Sequence, residues 1–195
     1  MARKFADLNL QNSQLAQKAR ALGFSETLSA SVLVLGSPRD ANAIRAQAGG
    51  LISVESLDGE LLRTAAKNRG VQLVNPLNAT GFSRDDGLIR IVAEQGKAFE
   101  IPISTVLRSK HVFRAKAMNQ IREFSRRCFK LGAKIVFTSR AQEEWDVKSP
   151  REIIAIASLL GFSREQASAA IGKNAFEILD KLNNREAADG KMMIE

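Results

Sequence analysis

The chain has 195 residues, of which 45% are hydrophobic, so it is long enough to bury a sizeable core within one domain. A single cysteine excludes a disulfide framework and a four-thiolate zinc site, and a single histidine, His111, excludes any site that needs several imidazoles. The net charge of +8 suits a polyanionic partner, most often a nucleic acid.

The positive charge is concentrated in one segment. Between Arg108 and Arg140 there are ten basic residues and one acid, Glu123, so this segment alone carries +9 and the rest of the chain −1. Clustered charge creates a local field that a diffuse excess does not. The sequence has no targeting signal and no apolar run long enough to span a bilayer, so we expect a cytoplasmic protein with no membrane contact.

Short apolar runs alternate with amphipathic helical patterns as far as residue 139. The predicted strands are 5–10, 31–35, 51–54, 71–77, 97–104 and 134–139. The predicted helices lie near 15–22, 39–48, 59–69, 83–95 and 113–131. This alternation is typical of an α/β fold with a parallel sheet covered by helices. Periodicity does not decide between an open sheet and a small or irregular barrel, and six predicted strands are fewer than the eight of a full (β/α)8 barrel.

After the sixth strand the pattern is all helix. Ser149 with Glu152, around Pro150, forms a predicted capping box, and Ser163 opens a second one. A last helix is predicted near 175–182. We expect one domain over residues 1–182 and a disordered polar tail over 183–195.

A metal-dependent hydrolase on this architecture would place its ligands at the carboxyl ends of the strands. The residues of suitable type there are Asp7, Asn9, Glu55, Asp58, Asn75, Asn78, Glu100 and Ser139. Carboxylates alone can hold Mg²⁺, but no histidine lies near Asp7, and loop capping or pairing with arginines is the simpler reading of these acids. A catalytic triad would have to use His111, which lies in the basic segment.

The helix predicted over 113–131 carries two distinct faces. Apolar residues recur along one of them: Phe113, Ala117, Ile121, Phe124, Cys128 and Leu131. Arg122, Arg126 and Lys130 stand in a row on the opposite face, where like charges at a spacing of four residues repel each other. A phosphate backbone would remove that repulsion, so the row favours RNA contact over an ordinary solvated face. Few aromatic residues lie among these cations, so we expect contact by shape and phosphate rather than by base stacking.

Several ordered sequence blocks resemble protein component 3 of archaeal ribonuclease P, whose eukaryotic counterpart is the thirty-kilodalton subunit. The blocks are FADLNL at 5–10, NPL at 75–77, GLIRIVAEQGKAFE at 87–100, ISTVLRS at 103–109, IVFTSR at 135–140, WDVKSPREII at 145–154, LLGF at 159–162, Asn174, and Ile178 with Leu179. The likeness covers about residues 5–182 and is thin between 36 and 70. Two departures are Asn9, where many archaeal members have histidine, and Asn174-Ala175 in place of a frequent Asn-Pro.

The resemblance implies a TIM-barrel-like (β/α) fold with a helical C-terminal region, related to the polymerase-and-histidinol-phosphatase hydrolases but without their ligand histidines. It implies a non-catalytic subunit of an endoribonuclease whose RNA uses Mg²⁺ to remove the 5′ leader of precursor tRNA, with no cofactor or metal on the protein. The implied partners are the ribonuclease P RNA, precursor tRNA, a small ferredoxin-like subunit in a heterotetramer, and other ribonuclease P proteins. The RNA-binding candidates are Arg90, Arg108, Lys110, Arg114, Arg122, Arg126, Lys130 and Arg140.

Two other functions stay open at this point. One is a stand-alone, carboxylate-dependent and metal-dependent phosphoesterase on a related barrel, which the low histidine count disfavours. The other is a structural interaction module without RNA contact, which the segment of charge +9 disfavours.

Overall fold

Parallel strands and their crossover helices make up most of the computed structural model, which describes residues 4–46 and 49–192. The strands in these ranges are β1 (Ala6–Asp7), β2 (Glu26–Thr27), β3 (Ser31–Leu35), β4 (Ile52–Ser56), β5 (Leu73–Asn75), β6 (Ala98–Pro102) and β7 (Lys134–Thr138). The helices there are α1 (Ala16–Ala21), α2 (Ala41–Ala46), α3 (Gly59–Lys67), α4 (Asp86–Glu94), α5 (Ile103–Arg108), α6 (His111–Lys130), α7 (Pro150–Leu159), α8 (Arg164–Ile171) and α9 (Lys173–Met192). Short 3-10 turns within the same ranges cover Ser13–Leu15, Pro38–Asp40, Phe82–Arg84 and Glu144–Asp146.

Strands β3 to β7 form one parallel sheet in chain order, and β1 and β2 form a separate parallel pair. Strand β1 lies near the β7 edge, because the backbone N–H of Arg140 donates to the carbonyl of Asn9 at 3.0 Å. The described strands do not close a barrel. The predicted α/β, TIM-barrel-like fold is therefore confirmed as a parallel sheet covered by helices, with the irregular rather than the closed arrangement.

The core lies between the sheet and the helices packed on it. Phe99 of β6 and Phe124 of α6 are fully buried and meet edge to face, with ring centroids 4.8 Å apart. Burial of each such ring contributes on the order of 2 kcal/mol. Cys128, one turn along α6, is buried as the sequence predicted, and burial raises the pKa of its thiol. This cluster fixes the second half of α6 against the sheet.

The first half of α6 extends beyond the sheet. A helix of 20 residues is about 30 Å long, whereas the five-residue strand β7 beside it spans roughly 17 Å. Consequently every residue from His111 to Lys116 is exposed. The predicted apolar stripe is wrong at its start, since Phe113 is 78% exposed. It is confirmed where α6 meets the core, at Ile121, Phe124 and Cys128.

The C-terminal helices begin where the sequence predicted. Ser149 and Ser163 both form capping boxes, with Glu152 and Gln166 respectively. Helix α9, however, continues through Met192, well past the predicted end near residue 182. The tail predicted as disordered is therefore helical from 183 to 192, and 193–195 lie outside the described residues.

Other element boundaries differ from the prediction for local reasons. The pairing of Glu26–Thr27 with β1 was not predicted, because two polar residues carry no periodic signal. The strand predicted to reach residue 104 ends at Pro102. This proline, whose ring fixes φ, is the N-cap residue of α5. The helix predicted over 39–48 is described only as far as Ala46, so its last two positions lie outside the described residues. Within the described ranges, no helix combines the length and apolarity that crossing a membrane requires.

Candidate nucleic-acid interface

At the carboxyl edge of the sheet, where enzymes of this architecture keep their active sites, an arginine is bound between two carboxylates. Arg140 follows β7 and donates to both oxygens of Glu100 on β6, at 3.0 and 2.6 Å. It also donates to Glu55 on β4 at 2.8 Å. The Arg140 side chain is 16% exposed and that of Glu100 is fully buried.

The remaining lone pairs of Glu100 are also occupied. The Asn9 side-chain amide donates to it at 2.7 Å and the Thr138 hydroxyl at 2.6 Å, while Ser53 donates to its second oxygen. Burial alone would raise the pKa of Glu100, but the hydrogen bonds and charge of Arg140 outweigh it, so the pKa is lowered. A buried ion pair with this many hydrogen bonds is a structural unit, because loss of either partner leaves an uncompensated charge.

The position of Arg140 in the backbone supports the same conclusion. Its φ of 45° is in the left-handed region, which costs a residue with a side chain about 1–3 kcal/mol. The contacts with Glu55 and Glu100 hold this conformation. Arg140 therefore points inward, and its charge is already paired. The RNA contact predicted for Arg140 stays a prediction, and in the structure its guanidinium binds Glu55 and Glu100.

The same edge was the predicted ligand set of the alternative, metal-dependent enzyme. Asp7 accepts hydrogen bonds from the backbone N–H groups of Asn9 and Ser139, and its second carboxylate oxygen has no partner among the described residues. Burial raises the pKa of Asp7, and hydrogen bonds from Ser139 and Asn9 offset this only in part. The guanidinium of Arg140 sits between the other two acids, where it would repel a divalent cation.

The donor set therefore does not fit a catalytic metal. Among the residues that the structure describes, no three His, Cys, Asp or Glu side chains are grouped to hold one. Of the other predicted candidates, Asn75 donates to Glu55 at 2.8 Å, and Asp58 is the N-cap of α3. The simpler reading of these acids, as loop caps and arginine partners, describes them correctly.

Three more of the predicted RNA-binding cations are bound within the protein. Arg108 pairs with Asp146 at 2.7 Å. Arg114 donates to the carbonyl of Leu107 in the last turn of α5 and to the carbonyl of Ser109, which follows α5. Arg122 is half-buried and donates to the Leu159 carbonyl at the end of α7 at 2.7 Å, so it links two helices instead of facing solvent as predicted.

The side chains of the other four predicted cations have no hydrogen bond or ion pair to any described residue. They are Arg90, Lys110, Arg126 and Lys130, and all four are exposed. Lys110 is the N-cap residue of α6 and does not line the pocket that the other three share. The remaining three converge on one groove between two helices, of about 400 Å³, which we call the α4–α6 groove. Its lining residues are Asp86, Arg90, Glu123, Arg126, Arg127, Lys130 and Leu131.

The acids of the α4–α6 groove are already neutralised. Asp86 pairs with Arg127 at 2.9 Å, and Glu123 with Arg84 at 2.9 Å. The hydrogen bond from Arg84 is the main reason why the pKa of Glu123 is lowered. Within the described residues, the groove therefore presents three cations without counter-ions, from two elements that are far apart in sequence. Such an arrangement suits successive phosphates of a polynucleotide backbone.

Sequence reasoning found the basic row on α6 but not its partner helix. Arg90 was a candidate only through the family resemblance, and its position beside Lys130 depends on the packing of α4 on α6. The pairing of Asp86 with Arg127 was not predicted either. No pattern within one helix signals a contact across two helices, since helical periodicity reports only which face is apolar.

Comparisons with known proteins identify relatives of the chain. The chain is 25% identical over 132 residues to ribonuclease P protein component 3 of Methanococcoides burtonii, covering 67% of this chain and 55% of that protein. It is 26% identical over 151 residues to the protein of the same name from Methanothermobacter thermautotrophicus, covering 75% and 60%. The chain thus spans little more than half the length of these relatives.

A solved structure shares the fold. A chain of the cryo-EM structure of archaeal ribonuclease P with mature tRNA superposes with a TM-score of 0.67 at 18% identity, covering 90% of this chain and 79% of that one. The model of the family described as RNase P subunit p30 matches residues 36–187. On that match the chain belongs to the RNase P subunit p30 family.

Proposed function

We propose that this chain is a non-catalytic protein subunit of ribonuclease P, the RNA-based endoribonuclease that removes 5′ leaders from precursor tRNA. The observation that carries the proposal is the α4–α6 groove, where three cations without described counter-ions meet in a member of the p30 family. The phosphates of the catalytic RNA or of the tRNA would neutralise these cations. Contact through phosphates positions an RNA without reading its sequence.

A supporting subunit helps a catalytic RNA mainly by charge. Compaction of RNA brings phosphates together, and protein cations replace part of the metal that would otherwise screen them. We therefore infer that Mg²⁺ serves the RNA and that the protein itself carries no cofactor. The ion pairs of Glu55 and Glu100 with Arg140 support the absence of a protein-bound metal, because these two acids at the carboxyl edge already have a protein partner.

The protein partners extend the proposal. We infer that a small ferredoxin-like subunit binds this chain in a heterotetramer, and that further ribonuclease P proteins join the assembly in the cytoplasm. The exposed start of α6 supports a protein contact, since Val112 and Phe113 are 76% and 78% exposed there. Large apolar side chains that are exposed at neighbouring positions mark interaction surfaces more often than isolated ones do.

The experiment is cleavage of a precursor tRNA by the cognate ribonuclease P RNA over a Mg²⁺ series. The chain, added with its ferredoxin-like partner, should lower the Mg²⁺ concentration at half-maximal cleavage. The chain without RNA should cleave neither the precursor nor a generic phosphodiester. Turnover by the pure protein, abolished in an Asp7→Ala variant, would instead support the stand-alone phosphoesterase.

A further inference from the structure

A second concave basic site lies at the opposite edge of the sheet, where the helix-to-strand loops enter β5 and β6. It is a pocket of about 540 Å³, which we call the amino-edge pocket. Its cations are Arg69 and Lys97, from the two loops, and Lys181 and Arg185, from α9. None of the described residues that line it is Asp or Glu. The sequence analysis did not name any of these four cations as a binding candidate.

Lys97 is the unusual member of this set. It is 7% exposed, and its ammonium group donates to the Asn68 carbonyl. Burial lowers the pKa of Lys97 to about 8. The other charged residues among those described that line the pocket, Arg69, Lys181 and Arg185, are all cations. A buried ammonium without a carboxylate is costly to charge, and an anion in the pocket would remove that cost.

The pocket is held in shape by contacts to backbone. Lys181 donates to the Gly96 carbonyl at 2.6 Å, and Arg185 donates to the Gly70 carbonyl at 3.2 Å. These bonds hold α9 over both loops, so Lys181 and Arg185 are positioned before any ligand binds. Val71 and Ile178 are buried at the base of the pocket and add an apolar surface. Preorganised donors around a partly apolar cavity are typical of a site for a small ligand or a ligand's end group.

We propose that the amino-edge pocket binds a phosphate group, carried either by a free phosphate ester or by an RNA backbone. A phosphate group carries up to two negative charges and offers several acceptor oxygens. It therefore matches four cations on two loops and one helix better than a single carboxylate does. The proposal is independent of the proposed function, because the pocket shares no residue with the α4–α6 groove.

The test is calorimetric titration of the full chain with inorganic phosphate at pH 8 and constant ionic strength, followed by adenosine monophosphate. Phosphate should bind, and the protein should take up protons on binding, because an anion raises the pKa of Lys97. The measured heat should therefore depend on the ionisation enthalpy of the buffer. An Arg69→Gln, Lys181→Gln variant should bind about tenfold more weakly, the effect expected when charge-assisted hydrogen bonds are removed. Lys97→Met should abolish the proton uptake.

Controls separate the pocket from general attraction. An Arg20→Gln, Lys116→Gln variant removes the same charge from exposed positions that line neither the amino-edge pocket nor the α4–α6 groove, and it should leave phosphate affinity unchanged. A short RNA with hydroxyl groups at both ends distinguishes the two sources: competition with phosphate assigns the pocket to the RNA backbone, and no competition assigns it to a free phosphate ester. The proposal is overturned if phosphate does not bind, if acetate binds equally well, or if the Arg20→Gln, Lys116→Gln variant weakens binding as much as the pocket variant does.

Discussion

Arg140 and Glu100 are joined by two hydrogen bonds across the carboxyl edge of the sheet. Glu100 lies within β6, whereas Arg140 follows β7 and adopts a left-handed backbone where it makes the contact. The place where this architecture usually keeps its chemistry is thus occupied by a structural ion pair. The positive charge available to a partner lies elsewhere, on the helices.

The ion pair predicts a large effect on stability. Arg140→Ala leaves two buried or half-buried carboxylates without their cation and should lower the free energy of unfolding by about 3–5 kcal/mol at neutral pH. Urea denaturation measures this decrease. Arg126→Ala, which removes an exposed arginine with no described partner, should change the same quantity by less than about 0.5 kcal/mol. An Arg140→Ala variant of normal stability would show that Arg140 is not structural.

The pH dependence of that decrease has a definite sign. In the native protein the pKa of Glu100 is lowered, so its contribution to stability is present above the ordinary glutamate pKa and is lost as the pH falls through the folded value. Without Arg140, burial dominates and raises the pKa of Glu100. The difference in stability between the two proteins should therefore shrink on acidification below pH about 5. A difference that stays constant with pH would contradict the role of Arg140 as counter-ion.

Lys97 predicts a second pH dependence of stability, at alkaline pH. Its folded pKa of about 8 lies below the ordinary lysine value, so the unfolded chain binds more protons between these two values. Stability should therefore rise as the pH increases from about 8 to about 10. Lys97→Met should remove this rise and be more stable than the native chain at pH 7. Lys116→Met, a change of the same kind at an exposed position, should leave the pH profile as it is.

Much of the fold follows from sequence because each buried strand is a short apolar run and each helix has one apolar face. The strand Ser31–Leu35 has the predicted bounds, and both capping boxes of the C-terminal helices were predicted. The two-residue strand β2 and the exposure of Phe113 were not predicted. Both depend on what lies beside an element in space, which periodicity does not report.

The candidate site was predicted less well, for a related reason. Composition and helical spacing located the basic row on α6, but not which of its members have protein partners. Arg122 lies opposite the apolar face of α6, as predicted, but α7 packs on that side and its Leu159 carbonyl accepts a hydrogen bond from Arg122. A cation's availability depends on acids and carbonyls of other elements, so it has to be read from the fold.

The contact between Arg122 and α7 depends on Gly161. Its φ is +87°, and a Cβ there would lie 3.0 Å from Cγ of Arg122. Gly161→Ala should lower the free energy of unfolding by about 1–2 kcal/mol from the left-handed backbone alone, and further by displacing Arg122. Gly132→Ala is the matched control, because Gly132 has a φ of +74° and no heavy atom within 4 Å of such a Cβ. Equal decreases in the two variants would show that the Arg122 contact contributes nothing.

The exposed start of α6 predicts a separation of binding from stability. Phe113→Ser removes an apolar side chain that solvent already reaches, so the melting temperature should stay close to that of the native chain. Binding to the ferredoxin-like subunit, measured by titration, should weaken about tenfold or more, as for an aromatic side chain at the centre of an interface. Val34→Ser, at a position that is 69% exposed on β3, should change neither quantity. Unchanged affinity in Phe113→Ser would remove α6 from the protein contact.

The salt dependence of RNA binding tests the central claim most directly. An Arg90→Gln, Arg126→Gln, Lys130→Gln variant should bind ribonuclease P RNA more weakly than the native chain at unchanged melting temperature. The slope of log affinity against log salt concentration should fall by roughly 0.7–0.9 for each phosphate that the variant no longer neutralises. Arg122→Gln, from the same helix, should lower the melting temperature and leave the slope unchanged. A groove variant with the native slope and native stability would contradict phosphate binding in the α4–α6 groove.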